Sequence, residues 1–243
     1  MEMILLDWTR MGSTYCVAGA VRQAGAWRVV RPLWVKYRHA PVRNTGWSAF
    51  LMDGRSRWEL FELVGPEPAD PRPPHCEDTW VRDLKAVGRL ADVDQRRAVL
   101  EATRAPAGRP LFGSPLTRTS TSAYLQPGTG ERSLTTVVLP APCIQFVVSD
   151  RPGRAAPDIR VRLEAPGFDG RLLPLKDHFL VTRAEAASPS MDGRLRFIRA
   201  TVRGMGDPVA IRVGLSRPFA PDGGVARCWL MADGFFSLAE PMP

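Results

Sequence analysis

The chain of 243 residues has a formal net charge of +8, with 44% hydrophobic and 24% charged residues. This composition suits a globular protein with a core of its own and excludes collagen-like, coiled-coil and fully disordered chains. No stretch approaches the roughly 20 apolar residues of a membrane-spanning helix, and the opening Met1-Glu2-Met3-Ile4-Leu5-Leu6-Asp7-Trp8 is acidic and too briefly apolar for a signal peptide, so the expected location is cytoplasmic.

In chain order, residues 4–9, 14–21 and 27–34 are rich in β-branched and aromatic side chains and read as strands, with turns at Met11-Gly12-Ser13 and Gln23-Ala24-Gly25. Residues 57–64 can form another, and the proline-dense 66–74 is expected to be an extended loop. Residues 77–104 read as helical. Asp78, Trp80, Val81 and Leu84 open one helix that Gly88 ends, and Asp92 or Asp94 caps a second. Strands are expected again at 122–125, 133–139, 144–148, 159–163, 172–175, 179–182, 195–202, 209–215 and 228–238, separated by Gly, Pro and Asp turns. Short strands at this spacing predict a mainly β protein of one or two barrels or sandwiches, with a boundary near Pro140-Ala141-Pro142.

The basic residues are nearly all arginine; only Lys36, Lys85 and Lys176 are lysines. A GC-rich genome accounts for the preference for arginine, but the positive excess itself favours polyanionic partners. Cys16, Cys76, Cys143 and Cys228 are too widely spaced for a zinc framework or a disulfide scaffold and read as buried thiols. Phosphate-binding glycine loops, the nucleophile elbow and the paired-histidine zinc motif are absent from the sequence, and His39, His75 and His178 are its only histidines. No cofactor is implied.

Two clusters have chemical potential. His75-Cys76-Glu77-Asp78 could bind a metal and support a nuclease, or Glu77 and Asp78 could be the acids of a helix N-terminus. Lys176-Asp177-His178 could be an acid–base pair, or Asp177 could close a turn. Pro157-Asp158 with Glu164-Ala165-Pro166 imitates a nuclease carboxylate frame but has Pro166 where that chemistry needs a lysine.

A different pattern suits nucleic acid. Arg28, Arg31, Trp34, Lys36, Tyr37, Arg38, Arg43 and Trp47 fall within one short segment, and aromatics stack on unpaired bases while Arg and Lys follow the backbone. Alternation at Arg160/Arg162 and at Arg194/Arg196 predicts basic faces on half-buried sheets, and Arg217 follows a tight turn.

Leu5-Leu6-Asp7-Trp8-Thr9-Arg10 with Thr14-Tyr15-Cys16-Val17-Ala18-Gly19, Arg31-Pro32-Leu33, Gly214-Leu215-Ser216-Arg217-Pro218-Phe219, Cys228-Trp229-Leu230 and Gly234-Phe235-Phe236 together resemble the dual OB-fold domain family of prokaryotes. The resemblance implies two small OB-like barrels, at 1–140 and 141–243, the first elaborated by the helical segment at 77–104. It also implies no recognised catalytic apparatus and a link to bacterial conflict or defence loci. OB barrels commonly bind single-stranded nucleic acid or oligosaccharides on one sheet face. The expectation is therefore a non-enzymatic module for single-stranded DNA or RNA. The alternative is an adaptor that holds a partner enzyme in a multi-component system through Trp47, Trp58 or Phe235-Phe236.

Overall fold

The computed structural model describes residues 1–11, 14–39, 47–48, 55–70, 72–150, 157–220 and 223–238. The protein is mainly β, 46% strand against 18% helix, and its sheets curl as half-barrels.

Strands β1 (Glu2–Met11), β2 (Thr14–Gln23) and β3 (Ala26–Trp34) form an antiparallel meander. Ala24 and Gly25 both have positive φ and form the two-residue turn between β2 and β3, the handedness that matches strand twist. β4 (Trp47–Ser48) pairs with β2, and β5 (Glu59–Val64) extends the sheet beyond β1. The short β6 (Glu67–Pro68) follows, then β7 (Asp78–Val81), parallel to β3, and β8 (Asp83–Arg89), antiparallel to β5.

The expected first helix is thus two strands. Thr79, Val81 and Val87 favour extended backbone, and the short apolar run at 80–84 fits period 2 as well as period 3.6. Pairing with β3 and β5 decides between them. The second expected helix is present as α1 (Val93–Ala102), with the Asp92 carboxylate accepting from the Gln95 N–H at 2.9 Å.

In the second half, β9 (Thr117–Arg118), β10 (Ala123–Leu125), β11 (Leu134–Leu139), β15 (Val209–Leu215) and β16 (Cys228–Ser237) form a sheet in the order β11-β15-β16-β10-β9. β12 (Ile144–Ser149), β13 (Asp158–Leu163) and β14 (Leu172–Pro174) form a smaller one. The segments expected as strands at 179–182 and 195–202 are helical: α2 (His178–Ala187) and α3 (Met191–Arg203). Caps explain the difference. Asp177 accepts from Leu180 N–H at the start of α2, and Ser190 accepts from Gly193 N–H at the start of α3. Ile198 and Val202, four apart, then face the core from α3. Arg194 and Arg196 consequently lie on a helix, not on a sheet face.

The main core gathers β10 to β16 with α2 and α3 around Phe112, Val161, Leu163, Leu173 and Phe235. A second cluster packs one side of β1–β2 against β5 and β7. A third joins Ile4, Leu6 and Ala20 to Val99, Leu100, Ala210 and Phe236. The register shift in β1 between Leu5 and Asp7 accounts for the facing of its side chains: Trp8 rejoins the side of Met3 and Leu5, while Asp7 turns toward β15. No helix among the described residues is long and apolar enough to cross a membrane.

Candidate functional site

Most of the polar residues with chemical potential are engaged in a buried network joining the two large sheets. Arg212, in the middle of the wholly buried β15, donates from Nε and Nη2 to the Asp7 carboxylate at 2.7–3.2 Å and from Nη1 to Thr136 Oγ1. Arg31 lies between Glu77, Asp78, His75 and Ser133. Glu77 also accepts from Ser133 and Leu134 main-chain N–H groups, and Arg217 grips Asp78 with two bonds of 2.6 and 2.8 Å.

This network answers the question of the His75 cluster. Asp78 begins a strand, not a helix, with Glu77 in the turn before it, and their oxygens are bound by guanidinium and amide donors. His75 Nδ1 accepts from Arg31 Nη1, which requires an unprotonated nitrogen. Burial, with Arg31 and Arg217 alongside, pushes the imidazole pKa far below its usual range. Cys228 Sγ is 3.8 Å from His75 Nε2, yet burial pushes the thiol up to about 11, so this pair is neutral and not an activated nucleophile. Among the described residues no group of three or more His, Cys, Asp or Glu is placed to hold a metal ion.

The network also contains an unsatisfied acid. Asp233 on β16 is fully enclosed, its Oδ1 has no hydrogen-bond partner among the described residues, and it borders a void of about 20 Å³ with Asp7, Cys16 and Arg31. That volume accommodates one water. Burial and the nearby Asp7 carboxylate push its pKa up to about 8. Gly214 is required here, because a Cβ at that position would lie 2.0 Å from Asp233 Oδ2.

The residues expected to contact nucleic acid separate into several groups. Arg31 and Arg217 belong to the interior network. Trp47 is 1% exposed, donates to Pro32 O and stacks on Trp34 at 5.3 Å. Lys36 Nζ sits 3.3 Å above the Trp34 ring, Tyr37 meets that ring edge-on, and Arg38 pairs with Glu67. The aromatic faces of this segment are therefore occupied by one another and by Lys36. Arg43 lies outside the described residues. Arg28 is exposed on β3. Arg160 is 4% exposed and donates to Leu172 O, and Arg162 is half-buried on the same strand. Arg194 donates to Ser188 O and Arg196 is exposed on α3. The aromatic anchors considered for a protein partner, Trp47, Trp58 and Phe235-Phe236, are all core residues.

A site that the sequence reading did not find is a cleft of about 500 Å³ between the two halves. It is lined by Arg55, Arg57, Arg89, Arg96, Arg97 and Arg183, with His178, and by no described carboxylate. Trp8, Trp58, Phe179 and Phe236 provide its apolar surface. Five separate segments supply these residues: β1, the stretch before β5, the end of β8 with α1, α2, and the end of β16.

Three of the six arginines are held by main-chain carbonyls, which orient a guanidinium without cancelling its charge. Arg96 donates to Leu90 O at 2.8 and 2.5 Å and lies over Trp58; Arg89 donates to Arg57 O; Arg97 donates to Leu238 O. Two have acidic partners: Arg97 pairs with Asp94, and Arg57 pairs with Asp177, which Leu180 and Phe235 amides fix in place. Arg57 is sandwiched against Phe179 and Phe236 at 5.2 and 4.7 Å. No ion pair among the described residues reaches Arg55, Arg89, Arg96 or Arg183. Burial and neighbouring Arg89 lower the Arg96 pKa, opposed by Asp92, and burial with Arg10, outside the cleft, lowers that of His178. Trp8 Nε1 and Arg57 Nη1 are buried donors without a partner among the described residues.

No protein-family model, curated protein or solved structure gives a significant match to the chain.

Proposed function

We propose that the protein is a non-enzymatic binding module for single-stranded nucleic acid, built as two OB-like barrels, with the arginine cleft at their junction as its binding site. The carrying observation is the lining itself: six arginines border one cleft that no described carboxylate lines. Such a site favours anions, and a cleft of about 500 Å³ admits an unpaired strand more readily than a duplex. Trp34, Lys36, Tyr37 and Trp47 become part of the fold supporting β3 rather than the main contact.

The test is fluorescence-anisotropy binding of the full chain to labelled single-stranded DNA and RNA, with duplex as control, over a salt series. Arg55→Glu with Arg183→Glu, two side chains outside the interior network, should weaken binding and reduce the salt slope by about 0.7 for each lost phosphate contact. An unchanged slope removes the cleft from the site. Absence of binding at low salt favours the adaptor reading, for which exposed Phe219 and Val225 between β15 and β16 are the apolar candidates.

A further inference from the structure

The size and charge density of the cleft suggest more than general affinity for a strand. An OB fold that tracks a single strand covers about 4–16 nucleotides. A cleft of about 500 Å³ lies instead within the range of about 300–1,000 Å³ typical of small-molecule pockets. Into that volume the protein brings four guanidiniums with no acidic partner among the described residues, Arg55, Arg89, Arg96 and Arg183. An internal phosphodiester contributes one negative charge, whereas a terminal phosphate monoester carries about −1.5 to −2 at neutral pH. A cluster of guanidinium forks in a small volume is best matched by the second group, which also offers more acceptor oxygens for bidentate pairing.

The apolar residues of the cleft back its arginines and are covered by them. Trp8, Phe179 and Phe236 sit beside Arg57, whose position is fixed by Asp177 at the N-cap of α2. We infer that the cleft receives the phosphorylated end of a nucleotide strand, with the terminal phosphate among Arg55, Arg89, Arg96 and Arg183. This inference rests on the proposed nucleic-acid binding and specifies which part of the strand is bound.

The test uses one labelled RNA sequence, and its DNA equivalent, with 5′-hydroxyl, 5′-phosphate or 3′-phosphate ends, together with direct calorimetric titration of the free 5′-mononucleotide. A terminal phosphate should tighten binding by about ten-fold or more. Arg55→Ala with Arg183→Ala should remove that advantage while leaving the far-ultraviolet circular dichroism unchanged, and Arg28→Ala, on a surface outside the cleft, should retain it. Equal affinity for hydroxyl and phosphate ends, with a salt slope still sensitive to Arg55 and Arg183, overturns the end-binding inference and leaves strand binding intact. Direct calorimetric binding of the free mononucleotide without binding of any oligonucleotide overturns strand binding and assigns the phosphate chemistry to a small molecule. A phosphate advantage that persists in the double variant places the phosphate outside the cleft and overturns the assignment.

Discussion

Replacing Asp233 with Asn tests the buried network through its pH dependence. Burial and the nearby Asp7 carboxylate raise the Asp233 pKa from its ordinary 3.8 to about 8 in the folded protein. The folded state therefore holds a proton that the unfolded chain has released throughout the interval between these values. Stability from this group is fully present below about pH 4 and is lost as pH rises through 8, by about 1.4 kcal/mol per pH unit. Across the interval the loss is about 6 kcal/mol, an order-of-magnitude figure comparable with the whole stability of many domains. Asn keeps the shape of the protonated acid and does not titrate. Urea denaturation from pH 5 to 9 should show wild-type stability falling relative to Asp233→Asn along that slope and levelling above pH 8. Parallel curves for the two proteins would show that Asp233 is ionised in the folded state and refute the argument from burial and Asp7.

Other parts of the structure give further predictions. Arg212→Met should cost about 3–5 kcal/mol in chemical denaturation by leaving Asp7 buried and unpaired, and Arg212→Met with Asp7→Leu should recover most of it. Asp92→Ala removes the cap of α1 and should cost about 1 kcal/mol. Phe112, fully buried in the main core, should cost about 3–5 kcal/mol on truncation to Ala, read as a lower denaturation midpoint. In native protein at pH 8, a thiol reagent should label exposed Cys76 and leave Cys228 unmodified until denaturant is added.

The β character of the chain was readable because it depends on local signals. The first three strands, β11 to β13, β15 and β16 are runs of β-branched and aliphatic residues bounded by turns, and the Asp92 cap was visible as well. Misread elements had local patterns that suited two states. Residues 78–89 became strands through pairing with β3 and β5, and residues 178–187 and 191–203 became helices through caps at Asp177 and Ser190 that resemble turn residues in sequence. The binding-site expectation relied on arginines close together in sequence, while the cleft assembles arginines from segments as distant as 55 and 183. No sequence pattern distinguishes those from Arg31 and Arg160, directed inward by register, or Arg217, drawn in by Asp78. Asp7 was similarly hidden: it stands in an ordinary strand, and only the bulge turns it toward Arg212.

Charge segregation links the interior to the cleft. Asp7, Glu77 and Asp78 are enclosed with Arg31, Arg212 and Arg217, so these opposite charges largely cancel within the protein. Asp233 beside them is held protonated below about pH 8 and adds little negative charge at neutral pH. At the cleft the distribution differs, because carbonyl oxygens of Leu90, Arg57 and Leu238 orient the guanidiniums where carboxylates could have done so. A carbonyl satisfies one or two N–H groups and leaves the remaining donors and the full charge available. Repulsion among Arg89, Arg96 and their neighbours is then a standing cost to the folded protein that a bound anion relieves. It follows that a ligand neutralising the cleft should raise the denaturation midpoint as well as bind, by an amount set by its concentration relative to Kd. Arg55→Glu with Arg183→Glu should stabilise the unliganded protein slightly while abolishing the ligand-dependent rise; loss of stability in the unliganded variant would mean that these arginines serve the fold instead.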